Sequence, residues 1–181
     1  MVDTASLEVA VLSATAQYLL LLPFPLLVTL GAASAALTLT IPDRLSFALV
    51  GFFLALAPIA GLDGATIALH GVGSAIVLAA TFVLFASGWI GGGDAKFAAA
   101  VAVWLGWGHL LPFAVTAAVF GGVLALAVLA LRRTLRPAAA RFGGQFPWLW
   151  DPDAGLPFAV ALAAAALAIY PGGILIGPAS G

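Results

Sequence analysis

Cysteine is absent from the chain. Disulfides, thiolate metal sites and a cysteine nucleophile are therefore excluded. Charge is scarce as well: only 7% of the 181 residues are Asp, Glu, Lys or Arg. A water-soluble surface needs roughly a quarter. The first basic residue is Arg44, so the opening string "MVDTASLEVAVLSATAQ" holds Asp3 and Glu8 but no cation. A cleavable secretory leader needs a positive start, and none is expected here. No basic patch interrupts the apolar part, and no nucleic-acid partner is expected.

What the chain has in abundance is hydrocarbon. Hydrophobic residues make up 64% of it, and its mean hydropathy is +1.22. Lipid is the solvent such a composition suits. Six apolar segments can be drawn: 18–39, 45–60, 65–87, 96–107 (a short one), 109–131 and 156–176. They run on without alternation and are rich in Ala and Leu, so they read as helices, not barrel strands. The expected fold is all-α: one polytopic membrane domain, residues 1–181, with about six spans. Pro23 and Pro25 are expected to kink or delay the first.

The six basic residues orient this arrangement. Arg44 lies between segments one and two, Lys96 between three and four, and Arg132, Arg133, Arg136 and Arg141 between five and six. In a six-span chain all of them fall on one side. The positive-inside rule then puts loops one, three and five in the cytoplasm and both termini outside. The longest loop, about 132–155, mixes arginines with Phe142, Phe146, Trp148 and Trp150. It reads as an interfacial anchor against membrane lipid.

One polar string stands out. "GGGDAK" places Asp94 after Gly91, Gly92 and Gly93 and before Lys96. Glycines allow a sharp turn with positive φ and close approach of backbones. A carboxylate pressed there against a neighbouring helix loses water, which raises its pKa toward the range acid–base chemistry needs. Capping of the fourth helix is the plainer role for Asp94. Lys96 is expected to pair with Asp94 or to reach the lipid head groups.

Three elements together resemble the prepilin peptidases, a family of intramembrane aspartyl proteases with a GxGD motif. Gly91, Gly93 and Asp94 match that motif, with Lys96 two residues on. "LTIPDRLS", with Ile41 and Pro42, resembles the family's I-P-N segment. "LPFAVALAAA" resembles its late P-Y-G-x-A segment. Order and spacing cover nearly the whole chain, and the length is that of the short form found with Flp/Tad-type pili.

The resemblance implies two aspartates that share a proton and cut a pilin precursor. Asp94 would be the second. The first would stand six residues before Ile41, at position 35, and that residue is Ala35. Asp43 occupies the family's Asn position, eight residues further on, about 12 Å along a helix. It is expected to be a cap or turn acid beside Arg44, with substitution for the missing carboxylate a weaker alternative. With alanine at position 35 the chain should be a poor or dead catalyst. An introduced inactivating substitution is the favoured explanation, because the other motifs are intact; a natural loss in a noncatalytic, prepilin-binding member is the alternative.

The implied substrate is a prepilin whose short basic leader is cut after a glycine at the cytoplasmic surface. No cysteine-rich insertion is present, so proteolysis without methyl transfer is expected, and no cofactor. A small transporter is a third reading, weakened because the acids lie at an edge and not at mid-membrane. His70 and His109 form no metal cluster and are expected to pack or sit at the outer interface, a full hydrocarbon thickness from Asp94. Asp63 in "GLDG" reads as a turn, and Asp151 and Asp153 as loop acids. Thr38 and Thr40 are candidates for hydrogen bonds near the site.

Overall fold

A computed structural model describes residues 22–134, 149, 151 and 154–170. Among these every regular element is helical. The helices are α1 (Pro23–Thr38), α2 (Asp43–Ile59), α3 (Gly64–Ala86), α4 (Gly92–Leu105), α5 (Leu110–Thr134) and α6 (Phe158–Ile169), with a 3₁₀ turn at Trp107–His109 before α5. Each coincides with one of the apolar segments. The termini, Arg136, Arg141, the aromatic residues of loop 132–155 other than its helical start, and Asp153 lie outside the described residues.

Local chemistry accounts for most boundaries. The described part of α1 begins with Pro23 in its first turn, where a missing N–H costs nothing. Asp63 caps α3 by accepting the Thr66 N–H at 2.8 Å, so the turn acid of "GLDG" is also a helix start. Hydrogen bonds from the Thr66 side chain and backbone hold its carboxyl below the usual value. Arg132 and Arg133 stand in the last turn of α5, not in the loop, where cations favour the negative end of the helix dipole.

The core is built around α4. From Phe97 to Leu105 every residue is buried, which is what a helix surrounded by neighbours requires. It packs against α1, α2, α3 and α6. The outer faces of α3 and α5 are apolar and open, with Phe82, Leu111 and Leu126 each more than half exposed. An apolar outside of this kind needs lipid or a partner against it. α3, and α5 together with its 3₁₀ turn, are long and apolar enough to cross a membrane.

Helices α1 and α4 run antiparallel in a register set by three contacts. The rings of Phe24 and Trp104 lie 5.3 Å apart. A Cβ on Gly31 would come within 2.6 Å of the Phe97 ring, so only glycine fits at that crossing. A Cβ on Gly93 would lie 3.5 Å from the Cβ of Ile41. The first two contacts are seven residues apart on both helices. One further turn along each helix from the Gly31–Phe97 contact reaches buried Ala35 on α1 and Gly93 on α4.

The α3–α4 contact is a polar ladder inside an apolar pair. Thr81 Oγ1 donates to the Ala95 carbonyl at 3.3 Å, Ser74 Oγ to Ala99 at 2.8 Å, and His70 Nδ1 lies 2.7 Å from the Val103 carbonyl. Their acceptors are spaced one turn apart along α4. α4 is short, with 14 residues, and its C-terminal end is buried in the bundle. Its last carbonyls therefore need donors within the protein. His70 serves Val103 and His109 Nδ1 serves Leu105 at 3.1 Å.

Candidate active site

The motif residues gather at the N-terminal end of α4. The helix starts at Gly92, earlier than the expected Lys96, and takes in Gly92, Gly93 and Asp94 as its first turn. The expected glycine turn with positive φ lies elsewhere: φ is +75° at Gly88, and none of Gly91, Gly92 or Gly93 has a positive value. These three matter for the side chains they omit. A Cβ on Gly91 would meet Asp94 Oδ2 at 3.1 Å, one on Gly92 would meet the Phe85 ring at 3.3 Å, and Gly93 faces Ile41. The glycine run lets Phe85, Ile41 and the Asp94 carboxylate close in on the start of α4.

Asp94 itself is half-buried. It accepts the Gly91 backbone N–H at 3.3 Å, which closes the N-cap of its own helix. The plain capping role is therefore present. The backbone of Ala159, in the first turn of α6, lies close to Asp94. The starts of α4 and α6 thus lie together at this carboxylate. The sequence pointed to α6 through "LPFAVALAAA" but contained no sign of which backbone group would touch Asp94.

The start of α6 is seated from two sides. Phe158 lies against Gly121 of α5, where a Cβ would run into the ring. Arg132 donates from Nε to Leu149 O at 3.2 Å and from Nη2 to Ala154 O at 3.0 Å. These bonds tie the chain ahead of α6 to the end of α5.

Lys96 does not pair with Asp94. Its Nζ lies 3.0 Å from both oxygens of Asp43. Residues two apart on a helix do not face each other, whereas the start of α2 is close enough to meet Lys96. Asp43 is not the N-cap of α2 either: Pro42 is, and Asp43 is the first helical residue. An acid there suits the helix dipole. The "IPD" and "GGGDAK" strings therefore meet twice, through Ile41 on Gly93 and through Asp43 on Lys96.

The link from α1 to α2 is laced to itself. Leu39 has φ +55°, the only non-glycine residue with positive φ among those described. Ser34 Oγ donates to Thr40 O at 2.8 Å, and the Thr38 and Thr40 hydroxyls are 2.7 Å apart. The two threonines serve this turn. The histidines lie closer to the site than a full membrane thickness, because Val103 is only nine residues past Asp94, about 13 Å of helix. Their role is packing and capping, as His70 also stacks on Phe53 at 5.1 Å. No group of metal-ligating side chains occurs among the described residues.

Helices throughout the described residues, two of them long, apolar and open on their outer faces, with one carboxylate at a glycine-lined helix start, are the features of a membrane protein with a candidate acid–base site. The type IV leader peptidase family model matches residues 22–126. That is more than half of the chain, and the chain belongs to this family, whose members are peptidases. No curated protein matches it, and no solved structure does.

Proposed function

We propose that this chain is built as a prepilin leader peptidase of the Flp type, with Asp94 and position 35 forming its carboxylate pair. In this reading all six helices span the bacterial inner membrane, both termini lie outside, and the Asp94 end faces the cytoplasm. The substrate is a prepilin with a basic leader, cut after a glycine. The observation that carries the reading is the α1–α4 register: Gly31 meets Phe97, so position 35 falls level with Gly93.

An aspartate at 35 would supply the missing half of an aspartyl mechanism. One carboxylate takes a proton from water as its oxygen adds to the scissile carbonyl carbon. The other, protonated, gives its proton to the carbonyl oxygen. Collapse of the tetrahedral species breaks the C–N bond and protonates the leaving amine. Ala35 can do neither, so the chain as it stands binds substrate and does not cut. A noncatalytic role in prepilin binding is the second reading, favoured by the same buried alanine.

The test is cleavage of a Flp-type prepilin in liposomes, followed on a gel. Ala35→Asp should cut, and adding Asp94→Asn should abolish it. Comparison of melting curves with Ala35→Asn separates a folding failure from a chemical one. A folded Ala35→Asp that never cuts overturns the catalytic reading. Cutting by the unaltered chain would transfer the first carboxylate's role to Asp43.

A further inference from the structure

The Lys96–Asp43 pair lies beside the proposed site and faces solvent. Lys96 keeps 54% of its side-chain surface exposed and Asp43 keeps 56%. An ion pair so open is worth little and changes partners easily. Lys96 is two residues past Asp94, and Ile41, two before Asp43, rests on Gly93. Asp43 therefore presents a carboxylate next to where a bond must lie if Asp94 is to act on it.

The remaining charges at this end are unfavourable to a basic ligand. Arg44 follows Asp43, and Arg132 and Arg133 end α5. Asp151 belongs to the stretch 149–154 that Arg132 bonds at both ends. Asp94 is half-buried and engaged by the Gly91 backbone N–H. Asp43 is thus the open acid beside the site, and it already holds an ammonium group.

We propose that Asp43 receives a cationic side chain of the substrate's leader, and that Lys96 occupies this position as an internal stand-in until the leader arrives. The proposal rests on the leader-peptidase reading. A leader lysine or arginine takes over Asp43, and the Lys96 ammonium swings on its four-carbon stem toward water and lipid head groups. One ion pair replaces another, so the exchange itself costs little. A neutral leader gains nothing from Asp43, and a basic leader without Asp43 would meet only the arginines.

The test is binding, which needs no cleavage. The chain with Ala35 is placed in nanodiscs of neutral phosphatidylcholine. Two fluorescent pilin peptides are titrated, identical except that the leader carries lysines in one and glutamines in the other. The lysine peptide should bind more tightly. Asp43→Asn should reduce that preference about two- to fivefold, the range of an exposed ion pair. Lys96→Gln, which frees Asp43, should strengthen lysine-peptide binding by a similar factor. Asp43→Lys should reverse the preference toward the glutamine leader.

An unchanged lysine-to-glutamine ratio in Asp43→Asn overturns the proposal. So does a loss of binding in Lys96→Gln as large as in Asp43→Asn, since that is the mark of a purely structural latch. Absence of saturable binding by either peptide also overturns it. Cleavage by Ala35→Asp with an unchanged ratio removes the leader subsite and leaves the peptidase reading. A changed ratio without cleavage does the opposite.

Discussion

Ile41 and Gly93 meet across 52 positions of chain so closely that a Cβ on Gly93 would lie 3.5 Å from the Cβ of Ile41. This is within the Cβ–Cβ range of a disulfide, about 3.5–4.5 Å. The chain has no cysteine of its own, so a pair placed here reports on one contact alone. Ile41→Cys with Gly93→Cys should cross-link on mild oxidation in membranes, seen as a reducible mobility shift. Leu37→Cys with Gly93→Cys should not, because Leu37 points outward. The reverse pattern would mean that the two motifs do not meet as described.

The α1–α4 register depends on the absence of a side chain at Gly31. Gly31→Val drives its new carbons into the Phe97 ring, 2.6 Å from where the Cβ would sit. Overpacking of this kind costs about 1–3 kcal/mol. Phe97→Leu in the same chain should recover part of the loss, so the double variant should be less destabilised than the sum of the singles. Unfolding in detergent measures both, and strict additivity would argue against the contact.

The polar ladder between α3 and α4 should be unequal in strength. Ser74→Ala removes one interhelical hydrogen bond, worth about 0.6 kcal/mol on average within membranes. His70→Leu leaves the Val103 carbonyl without its donor at a helix end that stops short, and a buried unsatisfied group costs about 1–3 kcal/mol. The histidine variant should therefore melt at the lower temperature. His70→Gln, which keeps a donor, should fall between His70→Leu and the unaltered chain.

Asp63 offers a pH-dependent check at the opposite end. Hydrogen bonds from Thr66 lower its carboxyl pKa in the folded chain. Its contribution is present above the unfolded value and is lost as pH falls through the lower, folded one. Asp63→Ala should therefore lower the melting temperature slightly at pH 7. The difference from the unaltered chain should close in acid, once the carboxyl is protonated in both states. A difference that persists in acid would assign the effect to something other than the cap.

The lipid-facing class, the helical segments and the prepilin-peptidase resemblance were legible because they rest on composition, continuous apolar runs and short strings with fixed order. Asp94, Gly91 and Gly93, Ile41 and Pro42 came from those strings, and so did the vacancy at Ala35. Partners were not legible in the same way. A sequence shows that Lys96 is near Asp94 along the chain, but an ion pair is decided by which helix ends converge, and that brought Asp43. The glycines looked like a source of unusual φ angles and proved to be a matter of space, because what they accommodate are Phe85, Ile41 and the Asp94 carboxylate. His70, Ser74 and Thr81 share one side of an otherwise apolar helix, a pattern visible in advance; their acceptors on α4 were not.

Sequence alone determined which residues prefer lipid and where helices can start, since both follow from local chemistry. Only the tertiary structure decided the register of α1 against α4, the two helix starts that meet at Asp94, and the cation that Asp43 holds, because each depends on how closely separate helices can approach.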